Sequence, residues 1–346
     1  MKAAVLSDER SLDVHDRDRP QPPDDHVLVA VEACGVCTTD YHMYEGGLSV
    51  DLPMIPGHES AGEVVEVGDD VSRVDVGDRV AINPSVPCNA CRQCKAGNEN
   101  RCVELTSIGG AAEHVVDGSF AEYVAVPAGN VELIGDLSYR DAAFAEPLGC
   151  CVHGVDRLDV TSGESAAVVG AGPIGLLLVQ ALRLEGASPI IVSEPEDARR
   201  AVALDVGADY AVDPIEEDAA EVVDDIVGGV DVAIEAVGNP ATIQQAQSLT
   251  VPGGRTLVFG VPPEDATMEV SPFDIFYDEL ELLGTYSLTP DSFARAVRFL
   301  QTGRVDVDSL VTHECGLYGI TDAFDRMGES EGLKQMVYPQ ASDADM

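Results

Sequence analysis

The sequence has no tryptophan, only three lysines, and no apolar run approaching the roughly 20 residues that span a bilayer. Each absence narrows the reading. Aromatic residues make up 5% of the 346-residue chain, which argues against large aromatic substrates. The few lysines and 17 arginines face 62 acidic residues, for a net charge of -42. Such a surface repels nucleic acid and anionic membranes. The opening stretch, MKAAVLSDERSLDVHD, carries charge early and has no signal-peptide core. The expectation is a soluble, cytoplasmic protein with neither nucleic-acid nor membrane partners.

What is present points to a globular protein. Hydrophobic residues supply 45% of the chain, and its length favours two packed cores. The acids are dispersed rather than gathered in a tail, so they form a solvated shell. High salt screens the self-repulsion of such a shell, and the composition is that expected of a salt-in halophile. Eight of the nine cysteines are clustered or close in sequence: Cys88, Cys91, Cys94 and Cys102; Cys34 and Cys37; Cys150 and Cys151. In a cytosolic chain that pattern suggests metal before disulfides.

Two rhythms divide the chain. Through about residue 150, short runs alternate with Asp-Gly turns. Val27–Val31, Glu63–Val67, Arg79–Ile82 and Ala121–Val126 read as strands of a mainly β, barrel-like domain. From about residue 165, strands at Ala166–Val169, Pro189–Val192, Asp231–Ala236, Thr256–Phe259 and Leu280–Leu283 alternate with helices at Ile174–Leu184, 196–205 and Ala241–Leu249. Alternation of this kind implies a doubly wound parallel sheet. A helix at Ser292–Leu300 and an apolar run at Gln335–Tyr338 close the chain, and the tail Ala341–Met346 is expected to fray.

Gly170-Ala171-Gly172-Pro173-Ile174-Gly175 fits G-x-G-x-x-G between a buried strand and an apolar helix, the context a dinucleotide site requires. Gly170 permits the turn, Gly172 lets backbone approach the pyrophosphate, and Gly175 lets helix and sheet pack closely. Glu194 ends the next strand, about 20 residues on, where an acid accepts hydrogen bonds from the ribose hydroxyls and repels a 2′-phosphate. That favours NAD. Arg199 and Arg200 lie near enough to keep NADP as the alternative.

Cys88, Cys91, Cys94 and Cys102 sit in one loop rich in Pro, Asn and Gly. Four close thiolates suit a closed tetrahedral zinc site with a folding role; an iron–sulfur cluster is the rival. Three further segments offer ligands: Gly35–His42, Gly57-His58-Glu59 and Ala145–Leu148. Taken singly, Cys37 reads equally as a small buried hydrophobe, His58 as a loop histidine, and Glu146 as a helix-capping acid.

The order of these segments, the cysteine loop and the glycine motif resembles the zinc-containing medium-chain dehydrogenase/reductase (alcohol dehydrogenase) family, over essentially the whole chain. Gly-Val-Cys, Gly-His-Glu and Glu-Pro-Leu are similar to its polyol, sorbitol dehydrogenase-like branch, and the acidic composition points to a haloarchaeal member. The resemblance implies an α/β chain: a GroES-like β-barrel catalytic domain at 1–148 and 288–346, interrupted by a Rossmann NAD-binding domain at 149–287. It implies two zinc ions per chain. Cys37 and His58 are then ligands of the catalytic zinc, with Glu146 or Glu59 as the third, and Asp40 orients the histidine. Glu146 stands where alcohol dehydrogenases carry a second cysteine. Thr39 and His42 resemble the proton relay, while Tyr44, Tyr286 and Ser287 are expected to line the pocket.

The implied reaction is hydride transfer from a secondary alcohol or polyol, bound between the domains, to NAD(P). Oxidation of an aldose at C1 and threonine 3-dehydrogenation are alternatives within the family. A non-catalytic zinc- and NAD-binding redox sensor is the alternative of another class. The resemblance also implies a homodimer or homotetramer, with Phe259–Tyr286 supplying the pairing edge. Cys34, Cys150, Cys151, Cys315 and His153 take a structural reading.

Overall fold

The computed structural model describes residues 1–341, so all of the tail read as frayed except Ala341 lies outside the described residues. The chain forms two compact units, Met1–Gly149 with Leu288 onward, and Cys150–Ser287. No helix among the described residues is long and apolar enough to cross a membrane.

The first unit is built on His26–Gly35, whose burial is almost continuous because strands pair on both its edges. Glu59–Val67 and Tyr123–Pro127 both run antiparallel to it. The sheet continues from Glu59–Val67 to Arg79–Ile82 and Val131–Leu133. In the other direction it takes up the end of the chain. Lys334–Val337 pairs antiparallel with the last turn of the central strand, setting Met336 opposite Gly35 and Val337 opposite Cys34, and Val311–Cys315 lies outside it. The apolar run near the C-terminus is therefore a sheet strand, and it carries Lys334 beside the Gly35–Cys37 corner. A core of Val27, Val29, Val31, Ile55, Phe120, Phe324 and their neighbours fills this unit. A separate three-stranded sheet, Ser85–Val86, Thr106–Ile108 and His114–Val116, brackets the cysteine loop.

The second unit holds six parallel strands in the order Tyr210–Val212, Ile190–Ser193, Ala166–Val169, Val230–Glu235, Thr250–Val258, Glu281–Gly284. Ranked by sequence this order is 3-2-1-4-5-6, the doubly wound dinucleotide-binding arrangement. The sheet reverses direction of growth beside Ala166–Val169, so the glycine turn that follows this strand opens at the switch point where such sheets bind ligands. Helix Pro173–Glu185 follows with Gly172 as its N-cap and Pro173 in its first turn, where a missing N–H costs nothing.

Candidate active site and metal centres

The four-cysteine loop folds back on itself through two short turns, at Cys94–Ala96 and Glu99–Arg101. The sulfurs of Cys88, Cys91, Cys94 and Cys102 all lie within 4.8 Å of one another. Backbone amides point at them: Cys88 N–H donates to Cys102 Sγ at 3.2 Å, Cys91 N–H to Cys88 Sγ at 3.4 Å, and Cys94 N–H to Cys91 Sγ at 3.5 Å. Amide donors from Cys94 and Val103 pull the Cys91 thiol down to about 6, while burial pushes Cys94 up to about 12. Four sulfurs this close, with N–H groups directed at them, fit a cation that would draw all four into the thiolate form.

The second centre is assembled from three distant segments. Cys37 caps helix Thr38–Tyr44, and Asp40, in the first turn, reaches back so that its Oδ2 accepts the Cys37 N–H at 2.9 Å. Asp40 Oδ1 accepts the Gly57 N–H at 3.2 Å and lies 3.2 Å from His58 Nδ1. One fully buried carboxylate thus ties the cysteine corner to the Gly57-His58-Glu59 corner. Burial opposes charge on His58, but Asp40 and then Cys37 outweigh it and hold the imidazole well above its ordinary pKa. One ligand atom each from Cys37, His58 and Glu59 falls within 4.8 Å of the others.

Lys334, unread in the sequence, completes this centre. It is buried, forms an ion pair with Glu59 Oε2 and donates to the Val36 carbonyl at 3.0 Å. Burial works against its charge, while Glu59, Cys37 and Glu146 together hold its pKa above the ordinary value. Gly35 makes room for the pair, since a Cβ there would collide with Glu59 Oε2 and lie 2.8 Å from Lys334 Cε. A thiol, an imidazole and a carboxylate converging in a buried place, with one carboxylate oxygen matched only by an ammonium, fit a divalent cation.

Glu146 stands in the first turn of helix Ala145–Leu158, 9% exposed, near enough to act on Lys334 but outside the trio of Cys37, His58 and Glu59. Thr39 and His42 are both half-buried and lie three residues apart on helix Thr38–Tyr44, a spacing that puts them on one face. Tyr44, expected at the pocket, is packed into the core edge-on to Phe324 at 5.2 Å.

In the second unit, Gly170 takes φ +98°, a value L side chains rarely adopt, and a Cβ on Gly175 would collide with the Gly170 carbonyl oxygen. Gly172 faces open space, with nothing within 4 Å of the missing Cβ. That cradle, at the N-terminus of a helix whose first amides are unpaired, fits a pyrophosphate. Glu194 is 4% exposed; its Oε2 accepts the Ala171 N–H at 2.7 Å and its Oε1 the Glu196 N–H at 3.0 Å. Pro173 and Ile174 are half-buried at this turn, and Arg199 is half-buried in helix Asp197–Asp205, which follows Glu194. Glu235, not singled out in the sequence, is fully buried at the end of the neighbouring strand. It accepts from Val237 N–H, Gly238 N–H and Thr242 Oγ1, which fixes the adjoining turn.

Known proteins match this chain over almost its whole length. Residues 23–136 match the alcohol dehydrogenase GroES-like domain, and residues 173–302 match the zinc-binding dehydrogenase family. The sorbitol dehydrogenase of Bacillus subtilis is 37% identical over 348 residues, covering 98% of this chain and 97% of that protein. The L-threonine 3-dehydrogenase of Pyrococcus horikoshii is 37% identical over 322 residues, 90% of each chain. A crystal structure of a zinc-binding dehydrogenase from Sinorhizobium meliloti 1021, bound to NADP, superposes with a TM-score of 0.93 at 38% identity, covering 98% of this chain and 99% of that one. The chain belongs to the zinc-binding alcohol dehydrogenase family. It is a zinc-dependent, NAD(P)-linked dehydrogenase with a GroES-like domain and a Rossmann domain.

Proposed function

We propose that the enzyme oxidises a polyol or related secondary alcohol, with NAD as the preferred acceptor. The observation that carries this reading is the convergence of Cys37, His58 and Glu59 around one point, in a chain matching a sorbitol dehydrogenase over 98% of its length. In this reading those three residues hold the catalytic zinc, Cys88, Cys91, Cys94 and Cys102 hold the structural one, and Glu146 belongs to the charge field of Lys334. Residues 1–148 and 288–346 form the catalytic domain and 149–287 the cofactor domain.

Bound zinc supplies Lewis acidity toward an alcohol oxygen, and bound nicotinamide supplies the hydride acceptor. The chain's own residues do the rest. Asp40 holds Nδ1 of His58 in place, leaving Nε2 as the metal donor. Lys334 supplies the counter-charge to Glu59. Thr39 Oγ1 takes the hydroxyl proton and passes it to the imidazole of His42. Gly172 and the helix start behind it seat the pyrophosphate, and Glu194 reads the ribose hydroxyls.

Three finer readings go with this. The net charge of -42 supports a halophilic, haloarchaeal origin and a cytoplasmic location. Phe273, Phe276 and Tyr277 are 65%, 77% and 71% exposed beside the edge strand Glu281–Gly284, which supports a homodimer or homotetramer paired along that edge. The threonine dehydrogenase relative supports L-threonine as the second substrate reading.

The test is a substrate panel in molar KCl with added zinc: sorbitol, xylitol, arabinitol, 2,3-butanediol, glucose, threonine and ethanol, each with NAD and NADP. Turnover of a polyol or the diol with NAD is the expected result. Turnover confined to threonine or glucose would keep the chemistry and overturn the substrate class.

A further inference from the structure

The ribose-reading corner holds a cation that the surrounding acids have taken out of use. Arg200, in helix Asp197–Asp205, is 15% exposed at its side chain. Its Nη1 donates to the backbone carbonyl of Glu194 at 2.6 Å. Its Nη2 lies 3.1 Å from Asp213 Oδ2 and also pairs with Asp197. The guanidinium is therefore fastened to the very residue that reads the ribose hydroxyls. An arginine at that place is the usual device for accepting a 2′-phosphate. Here two carboxylates, those of Asp197 and Asp213, pair with it, and the Glu194 backbone carbonyl accepts its Nη1.

The two aspartates differ in weight. Asp197 is 95% exposed, so solvent screens it and its pair contributes little. Asp213 is 20% exposed and anchored at both oxygens: Oδ1 accepts the Ile215 N–H at 2.9 Å while Oδ2 faces Arg200. It sits just past strand Tyr210–Val212, whose Val212 pairs with Ser193, directly before Glu194. Arg199, the other arginine of the corner, is also engaged.

We propose that Asp213 is a specificity-determining residue for the cofactor: by pinning and neutralising Arg200 beside Glu194, it withholds the cation that a 2′-phosphate needs and so sets the preference for NAD over NADP. The inference rests on the NAD-linked reading above. It explains how a chain with two arginines next to its ribose acid refuses the phosphate they would otherwise accept.

The test is equilibrium binding of NADH and NADPH to the zinc-loaded protein, followed by nicotinamide fluorescence at fixed ionic strength. Asp213→Asn keeps the shape and the Ile215 hydrogen bond but removes the charge. It should tighten NADPH binding by roughly three- to tenfold, the range of a partly exposed charge pair, with NADH affinity changed less than about twofold. The double variant Asp213→Asn/Arg200→Gln should lose that gain. Unchanged NADPH affinity in Asp213→Asn, parallel weakening of both cofactors, or a gain that survives loss of Arg200 would each overturn the proposal. Wild-type protein that binds NADPH more tightly than NADH would instead sink the NAD reading, a separate result read from the same titration.

Discussion

The two candidate metal centres of the first unit, one of four sulfurs and one of a sulfur, an imidazole and a carboxylate, are gathered by opposite means. In the cysteine loop all four donors come from residues 88–102, and the backbone turns that gather them also aim their N–H groups at the sulfurs. In the other centre Cys37 and the His58-Glu59 pair come from separate segments, and Lys334, which balances Glu59, is 298 residues from its second partner, Val36. A site closed by local turns has every position filled by protein and serves folding. The other group offers only three protein donors, which is the number that an open, catalytic zinc site requires.

The sharpest way to break this comparison is Cys37→Ala. Turnover should fall by roughly a thousandfold or more, since Lewis-acid stabilisation is worth several kcal/mol. Metal analysis should still find one zinc per chain, held by the cysteine loop. Loss of both ions would mean that the centres are not independent. Cys94→Ser addresses the other side. It should open the loop to proteolysis between Cys88 and Cys102, with residual hydride transfer exceeding that of Cys37→Ala.

A smaller effect is expected at Lys334. Removing one partner of a buried ion pair leaves the other charge uncompensated and costs about 3–5 kcal/mol. Lys334→Met should therefore destabilise the metal-free protein by that order, measured by denaturant unfolding in chelator. Added zinc should return part of the loss, because a divalent cation supplies the missing counter-charge to Glu59. Equal destabilisation with and without zinc would show that Glu59 does not face the metal.

What was legible in the sequence follows from how local each signal is. The cysteine loop and the glycine turn carry their geometry within a few residues, so both stand out in the sequence, the glycine turn with the help of the strand and helix on either side of it. The strand read at Val27–Val31 extends over His26–Gly35, because pairing on both edges recruits residues that alternation does not mark. Helix Ala219–Val227 went unread although Asp218 caps it and Gly228 ends it in the left-handed conformation; its acid-rich face resembles the solvated surface of the rest of the chain. Tyr210–Val212 has only three residues, too short for a period to appear. Lys334 and Asp213 had no sequence signal at all. Each acts through a partner brought up by strand pairing, and in so acidic a chain one more aspartate is unremarked. The choice between Glu59 and Glu146 is equally invisible, since it depends on which carboxylate, one on a sheet strand and the other on a helix, the fold brings toward Cys37.

The subtlest prediction concerns Glu194, where one side chain does two jobs. Its oxygens hold the Ala171 and Glu196 amides, and its charge is assigned to the ribose. Glu194→Ala removes both, so the glycine turn loosens for either cofactor while the loss of charged hydrogen bonds, about 1.5–3 kcal/mol, falls on NAD alone. The Michaelis constant for NAD should rise by roughly ten- to a hundredfold, and that for NADP by much less. Glu194→Gln separates the two jobs. The amide oxygen can still accept one backbone N–H, so the turn keeps part of its support, but the repulsion toward a 2′-phosphate is gone. Both cofactors should then bind better than in Glu194→Ala, while the shift from NAD toward NADP is no larger than in that variant. If both variants moved the two cofactors in parallel, Glu194 would be a brace for the turn and nothing more, and discrimination would have to reside in Arg200 and Asp213.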